Sequence, residues 1–360
     1  MIKIVTVREA GWIERISFND VLLSPQYSEV RSRNDVSLVT ELSSELKLDI
    51  PIIASNMDTV CGPAMLTAIS DLGGIGVYPR GVQAGHRISL IRQTVEEGRK
   101  VAVAVGVNSL LKEIGYYADV GVSAIVLDIA HGDSAHALKK IVQIRRIVER
   151  RNPNVCVIGG NVATAGAVKR MAEAGVHCVK VGIGGGSACT TRVNTGVGVP
   201  TLSSIMDCAT EADKHGIFSI ADGGIKTPGD VAKALAAGAD AVMLGGMLAG
   251  TDESPGGVVL INGQQFKNFR GNASAEAGSK YVEGGAGLVP HSGSLRNIIE
   301  SIENGLKSAF SYTGARNIEE FHAKAKFVRV SAMSVMENGA HGLSHEREYD
   351  PQIGVRKILP

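Results

Sequence analysis

A run of glycines surrounds one cysteine at residues 182–192, which read GIGGGSACTTR. Glycines that follow a strand let backbone N–H groups turn toward an anion, and the Ser187 hydroxyl adds a further donor. Cys189 shares this loop with Arg192, and backbone donors and a guanidinium near a thiol favour its thiolate form. A thiolate is what nucleophilic attack requires, so we expect Cys189 to be a catalytic nucleophile.

The other four cysteines have no such surroundings. Cys156 and Cys178 fall within apolar runs, Cys208 falls in a candidate helix and Cys61 follows the first predicted strand. Five cysteines without a CxxC pair argue against a disulfide framework and against a zinc site. A reducing cytoplasm is therefore the expected compartment.

Two more glycine pairs follow later strands, in ADGG at 221–224 and LGG at 244–246. If the fold is a barrel, loops after its last strands commonly bind phosphate, which predicts a phosphorylated substrate; the alternative is a set of connecting loops without a ligand. Asp222 is placed to accept hydrogen bonds from two sugar hydroxyls, although an aspartate there also commonly caps a helix. Asp128 ends another strand in the same way, and His131 is either a base or a structural histidine.

The elements that must position these residues are short apolar runs separated by stretches of helical periodicity. Near-continuous apolar runs are typical of parallel strands buried on both faces. Eight strand–helix units predict an α/β fold of the (β/α)8 TIM barrel type, with an open sheet of six or seven strands as the alternative. The predicted strands are 50–57, 74–78, 101–107, 124–130, 155–162, 178–184, 218–225 and 241–248.

Composition indicates a neutral globular protein. The 360 residues carry a formal net charge of +1, so no overall field favours nucleic acid or a membrane surface. The apolar runs are far shorter than the about 18 residues that a membrane span needs, and the N-terminus lacks the apolar centre of a signal peptide. We expect one catalytic domain over 1–360, with the barrel at 50–250, a flap at 264–293 and a C-terminal helix and tail at 294–360. The polar stretch 251–299 lacks clear periodicity, which favours a functional lid or a disordered segment.

Four segments together carry a family resemblance: SNMDTV at 55–60, the cysteine loop at 182–192, ADGGIKTPGDV at 221–231 and AGTDESPGG at 249–257. In this order they resemble the IMP dehydrogenase/GMP reductase family, purine-nucleotide oxidoreductases built on a (β/α)8 barrel. The resemblance extends from ISFNDVLL at 16–23 to about residue 343. It implies a homotetramer that acts on a purine nucleotide monophosphate, GMP or IMP, with a nicotinamide cofactor.

The resemblance also implies roles for individual residues. Cys189 matches the family nucleophile, which attacks C2 of the purine to form a thioimidate, and Thr191 and Glu283 match the pair that handles protons there. The implied substrate-binding residues are Ser55, Met57, Ser187, Asp222, Gly224, Gly245, Gly246, Gly271 and Ser274. The implied cofactor-binding residues are Asp128, Ile129, Ala130 and Asn161. The implied potassium ligands are backbone carbonyls of Gly184, Gly186 and Cys189, completed by Glu337, Asn338 and Gly339 of a neighbouring subunit.

The two branches of this family use the site in opposite directions, and the sequence favours the reductase branch. GMP reductase converts GMP and NADPH to IMP and ammonia, whereas IMP dehydrogenase oxidises IMP with NAD and water and uses an Arg–Tyr pair on its flap to activate the water. The flap here is short, and Lys280–Tyr281 is its nearest approximation to that pair. Ile129 and the TGVG segment at 195–198 are also similar to the reductase branch, and 78–101 leaves no room for the usual regulatory domains of the dehydrogenase.

Some residues keep other interpretations open. The tail SVMENGAHG at 334–342 resembles dehydrogenases, and Gly285 departs from the lysine common there in reductases. Phe269 and Asn272 fit neither branch. The alternative is therefore an IMP dehydrogenase without regulatory domains, using NAD. A barrel that binds a nucleotide without turnover, or a flavin oxidoreductase, is a third interpretation, although the intact thiol loop argues against a pure binding module.

Overall fold

Eight parallel strands close into a barrel in the computed structural model, which describes residues 14–81 and 84–337. The predicted (β/α)8 barrel is confirmed, and the open-sheet alternative is wrong. The strands are β1 (Val21–Ser24), β2 (Thr40–Ser43), β3 (Leu46–Leu48), β4 (Ile52–Ala54), β5 (Ile75–Tyr78), β6 (Val101–Val105), β7 (Ala124–Leu127), β8 (Cys156–Val162), β9 (Cys178–Val181), β10 (Phe218–Asp222), β11 (Ala241–Leu244), β12 (Val258–Ile261), β13 (Gln264–Arg270), β14 (Ala286–Pro290) and β15 (Lys326–Arg329).

The barrel consists of β4 to β11 in sequence order, with β11 paired to β4. Each of the eight predicted strands is present. Most are shorter at their C-terminal ends than predicted, because residues such as Ser55–Met57 already turn out of the barrel wall. The polar ends of the predicted runs are therefore loops at one mouth of the barrel.

Helices follow the barrel strands and cover their outer surface. Several begin at a residue whose side-chain oxygen accepts a backbone N–H of the first turn, as Thr164 does from Ala167 and Thr227 from Asp230. The helices are α1 (Pro63–Asp71), α2 (Ala84–Glu96), α3 (Leu111–Val120), α4 (Ala135–Arg151), α5 (Ala165–Ala174), α6 (Thr191–Thr195), α7 (Thr201–Lys214), α8 (Pro228–Ala236), α9 (Gly246–Ala249), α10 (Leu295–Thr313) and α11 (Ile318–Lys324). None of these helices combines the length and apolar character that a bilayer-spanning segment needs; only the described residues bear on this.

Apolar side chains fill the barrel and close one of its ends. Leu42, Leu46 and Leu48 of the β2–β3 hairpin share one buried cluster with the inward-facing residues of the barrel strands. The hairpin lies at the N-terminal ends of the strands, where Thr40 Oγ1 donates to the carbonyl of Asp240. The opposite end, where the strands finish, is left to carry the polar loops.

Residues 258–290 contain an antiparallel sheet of three strands, β12, β13 and β14, which we call the flap sheet. The sequence predicts a lid or a disordered segment here, because 251–299 is rich in Gly, Ser and polar residues and lacks clear periodicity. A signal was nevertheless present, since Asn262–Gly263 is a typical two-residue hairpin turn and both residues have positive φ. All four residues of β12 are exposed, which explains the missing alternation.

Two positive-φ glycines, Gly182 in the cysteine loop and Gly216 between α7 and β10, differ in how tightly they are packed. A Cβ added to Gly182 (φ +141°) would lie 1.9 Å from the carbonyl oxygen of Asp222, whereas one added to Gly216 (φ +63°) would meet no atom within 4 Å. We expect Gly216→Ala to cost only the left-handed backbone strain of roughly 1–2 kcal/mol. Gly182→Ala should cost about 3 kcal/mol or more, because β9 and β10 must separate. Thermal unfolding of the two variants measures this difference, and equal losses of stability would contradict the packing described.

Candidate functional site

The C-terminal ends of the barrel strands gather the predicted site residues at one mouth. This placement follows from the parallel barrel, in which every strand finishes at the same end. The contributing segments are Ser55 and Met57 after β4, Asp128 to Ala130 after β7, Asn161 in β8, the cysteine loop after β9, Asp222 to Gly224 at the end of β10, and Gly245 and Gly246 after β11.

Cys189 is the one cysteine of the five that is not buried. Its N–H donates to the Gly186 carbonyl at 3.0 Å, which folds the glycine loop back beneath it. Its Sγ lies 3.2 Å from Thr191 Oγ1, at the start of α6. The thiol is therefore accessible and already in contact with a hydroxyl.

Glu283 of the flap completes a chain of three side chains. Thr191 Oγ1 donates to Glu283 Oε2 at 2.7 Å, so thiol, hydroxyl and carboxylate form a continuous line. Main-chain bonds fix this line: the Thr190 N–H donates to the Glu283 carbonyl and the Gly285 N–H to the Ala188 carbonyl, both at 2.8 Å. The flap thus adds to the cysteine loop as a short strand, and the three residues implied by the resemblance to be catalytic do meet.

Asp222 sits in a network of hydrogen bonds at the end of β10. Its Oδ2 accepts from Asn161 Nδ2 at 2.8 Å and lies 3.3 Å from Lys180 Nζ. Asn161 Nδ2 also donates to the Gly182 carbonyl at 2.8 Å. The sequence reasoning missed Lys180, although a lysine between valines in a buried strand is itself a signal that a charge partner lies nearby.

A cavity of about 500 Å³ lies between the barrel mouth and the flap. Ser187, Gly246 and Phe269 line it together with the flap residues from Gly285 to Val289. Lys226 is the lining residue that carries a positive charge, and the sequence reasoning did not select it although it follows the ADGG glycines. Bare backbone, a hydroxyl and an ammonium group are suited to an anion.

Ser55, Met57 and the LGG glycines converge beside this cavity. A Cβ on Gly245 would lie 3.2 Å from Met57 Sδ and 3.3 Å from Ser55 Oγ, and one on Gly246 would lie 2.8 Å from Ser187 Oγ. Ser55 Oγ is buried without a hydrogen-bond partner among the described residues. An unpaired buried hydroxyl costs about 1–3 kcal/mol, which a bound ligand would recover.

Three other implied substrate residues have backbone or capping roles in this structure. Gly224 has a φ of +81°, which supports the turn after β10. The Gly271 N–H donates to the Gly285 carbonyl at 2.9 Å, inside the flap. Ser274 is 1% exposed, and its hydroxyl accepts from the Ala277 N–H at 3.2 Å. Gly271 and Ser274 therefore shape the flap that carries Glu283.

The implied cofactor residues form a second group beside the first. The Asn161 N–H donates to the Ile129 carbonyl at 2.9 Å, which joins the ends of β7 and β8, and Ala130 is exposed next to them. Asp128 Oδ2 accepts from Arg80 Nε at 2.9 Å, a partner that the sequence reasoning missed. Asn161 connects this group to Asp222.

The implied potassium ligands are only partly described. The Gly186 carbonyl accepts the Cys189 N–H, and the stem of Arg192 packs against Gly184. Arg192 donates to the Val199 carbonyl at 2.7 Å, so its guanidinium braces the loop. Glu337 is the last described residue, and Asn338 and Gly339 lie outside the described residues. Within 14–81 and 84–337 no cluster of three or more His, Cys, Asp or Glu residues could hold a metal ion.

Known proteins resemble this chain over nearly its whole length. The model of the IMP dehydrogenase / GMP reductase domain matches residues 15–341. The chain is 34% identical over 392 residues to the inosine-5′-monophosphate dehydrogenase of Cryptosporidium parvum, covering 92% of this chain and 96% of that protein. It is 31% identical over 481 residues to the GMP reductase of Leishmania major, covering 92% and 97%.

Fold and site define a (β/α)8 barrel with an accessible thiol loop at the mouth where its strands end. Together with these matches, they show that the chain belongs to the IMP dehydrogenase/GMP reductase family. It is an oxidoreductase of that family, acting on purine nucleotides with a nicotinamide cofactor. Relatives with both activities match to a similar extent, so the direction of the reaction must be argued from the site.

The difference in exposure among the cysteines predicts their reactivity. Burial raises the pKa of the Cys208 thiol to about 12 and also raises that of Cys61, and Cys156 and Cys178 are fully buried. Iodoacetamide should therefore modify one thiol per native chain, and none in Cys189→Ser, as counted by intact mass. Rapid labelling of a second thiol in the native protein would contradict this description of the site.

Proposed function

We propose that this protein is a GMP reductase, which converts GMP and NADPH to IMP, ammonia and NADP through a covalent bond between Cys189 and purine C2. The proposal rests on the contacts that the one arginine of the flap makes. Arg270 is paired with Asp58, and its guanidinium also donates to the Glu276 carbonyl. No flap guanidinium is therefore free to activate water, as hydrolysis in the dehydrogenase direction requires.

The chain of thiol, hydroxyl and carboxylate fits the reductive direction. Cys189 attacks C2 of GMP as a thiolate, and the bond from C2 to the amino group breaks. The leaving amine needs a proton, and Thr191 with Glu283 forms a path of 3.2 Å and 2.7 Å steps along which protons can move between the thiol and the purine. Excluding water then protects the thioimidate from hydrolysis, for which the flap strand paired to the cysteine loop is well placed.

The rest of the mouth supports binding of a nucleotide monophosphate. Ser187, Gly246 and Lys226 would hold the 5′-phosphate in the cavity beneath the flap, and Gly224 and Gly245 would let the ligand approach the backbone. Asp222 would accept from the ribose hydroxyls, with Ser55 and Met57 beside the nucleotide. The proposal rests on the chemistry of these groups: donors and a cation at one end, a carboxylate in the middle and a thiol at the other.

The second group, from Asp128 to Ala130 with Asn161, would hold the nicotinamide end of NADPH. Its fit rests on Asp128, which is only 15% exposed yet has Arg80 rather than solvent as its partner, and on the open position of Ala130. When bound, NADPH supplies a hydride to C2 of the thioimidate. We also propose that potassium binds to the carbonyls of the cysteine loop. The protein would form a homotetramer and be located in the cytoplasm.

A regulatory-domain-free IMP dehydrogenase is the second candidate, and Lys280 with Tyr281 is the observation that favours it. Tyr281, two residues before Glu283 in the flap, is 77% exposed, and the Lys280 ammonium lies 5.8 Å from the centre of its ring. Such a pair could take the place of the missing base.

Absorbance at the nicotinamide band, followed in both directions with and without potassium, distinguishes the two candidates. We expect loss of NADPH on addition of GMP, with an equal amount of ammonia released. Formation of NADH from IMP and NAD, with XMP as product, would support the dehydrogenase and overturn the proposal. A coloured purified protein would indicate a flavin instead.

Cys189→Ala should abolish turnover while leaving the affinity for GMP nearly unchanged. The reason is that the proposed phosphate and ribose contacts lie on other residues. Steady-state rates and calorimetric binding of GMP measure the two effects separately, with Cys208→Ala as the buried control that should retain activity. Turnover by Cys189→Ala near the wild-type rate would overturn the assignment of the nucleophile.

Glu283→Gln should lower kcat about 100-fold or more while changing the affinity for GMP little. The substitution removes the carboxylate that accepts the proton from Thr191 but keeps the size and shape of the side chain. Glu276→Gln is the matched control, because Glu276 also lies in the flap but is not part of the Cys189–Thr191–Glu283 series. Equal losses of kcat and of affinity in Glu283→Gln would mean that the carboxylate only holds the flap in place.

A further inference from the structure

Lys180 is a buried cation in the wall of the barrel. Its side chain is 3% exposed, and its neighbours Cys178, Val179 and Val181 on β9 are fully buried. A lysine in such surroundings is destabilising unless it is paired. The partner that the structure gives its ammonium group is Asp222, at 3.3 Å from Oδ2.

The two carboxylate oxygens of Asp222 differ in their hydrogen bonds. Oδ2 accepts from Asn161 and contacts Lys180, so β8 and β9 both hold it. Oδ1 has no hydrogen bond within the described residues, and the side chain remains 23% exposed. One oxygen is thus fixed by the protein, and the other is left for a ligand at the mouth.

The charged groups around Asp222 are few. Lys180 contributes the cation from β9, Asn161 of β8 is neutral, and the residue paired with Asp222 on β11 is Met243. No other ionisable side chain within the described residues forms a hydrogen bond or ion pair with this carboxylate. Lys180 is therefore the charged neighbour that holds this carboxylate in place.

We propose that Lys180 is a positioning residue that orients the Asp222 carboxylate, so that Oδ1 accepts from the 2′-hydroxyl of the sugar and the enzyme prefers ribonucleotides to 2′-deoxyribonucleotides. The inference rests on the proposed function, in which Asp222 faces the ribose. A hydrogen bond to an ionised carboxylate is about twice as strong as one between neutral groups. A ligand that lacks the hydroxyl leaves Oδ1 partly buried and unpaired. A site that loses a hydrogen bond in this way discriminates between ligands more strongly than a site that loses only an apolar contact.

Binding of GMP and 2′-deoxy-GMP to wild type, Lys180→Met and Lys180→Arg, measured by calorimetry, tests the proposal. Wild type should prefer GMP by about 10-fold or more. Lys180→Met should bind GMP about 10- to 100-fold more weakly and lose most of its preference. Lys180→Arg keeps a cation beside Oδ2, so it should restore part of the preference.

Two further variants separate positioning from a general loss of structure. Lys140 is also buried and donates to the Ser109 carbonyl at 2.9 Å, so Lys140→Met removes a buried lysine without touching Asp222 and should leave the preference unchanged. Asp222→Asn should remove the preference, and adding Lys180→Met to it should change binding little. If Lys180→Met does not fold, Lys180→Gln and Asp222→Asn carry the same comparison.

The preference for GMP over 2′-deoxy-GMP decides the outcome. A Lys180→Met variant that keeps this preference would overturn the proposal, even if its stability is lower. A wild-type protein that binds GMP but does not distinguish it from 2′-deoxy-GMP would overturn it as well, while leaving the proposed function intact. Failure of the wild type to bind either GMP or IMP would overturn both.

Discussion

The pairing of the flap with the cysteine loop is the interaction on which the chemistry of this protein depends. Two backbone hydrogen bonds, from Thr190 to Glu283 and from Gly285 to Ala188, bring together segments that are far apart in the chain. They set the position of the Glu283 carboxylate against Thr191 and, through it, against the thiol. Because both bonds are made by the backbone, the side chains are left free for substrate and protons, and the site is organised before the ligand arrives.

Recognition and reaction use different parts of the molecule. Asp222 is proposed to bind the sugar, and Lys180 and Asn161 hold it in place. All three residues lie on strands of the barrel. The groups proposed to move protons lie on a loop and on the flap sheet, which packs over the mouth. In the proposed function, the barrel supplies the binding contacts and the flap excludes water from the thioimidate.

Much of the fold, and the centre of the site, could be predicted from the sequence, because both depend on local patterns. Buried parallel strands are continuous apolar runs, and the glycines around Cys189 mark a loop that approaches a ligand. The positions of Lys180, Arg80 and Lys226 in the site could not be predicted, since each depends on how the closed barrel brings the ends of different strands together. The flap sheet was missed for a different reason: its first strand is exposed on both faces, so burial imposes no alternation on its sequence.

The covalent bond between Cys189 and the purine tests the central claim most directly. Rapid quenching of the enzyme with GMP alone, followed by intact-mass and peptide analysis, should show an adduct of GMP less ammonia on Cys189, with ammonia released in the same amount. No nicotinamide is needed for this step if displacement of the amine comes first. An enzyme that forms no adduct with GMP, but forms one on Cys189 from IMP and NAD, would contradict the account and show that the thiol works in the dehydrogenase direction.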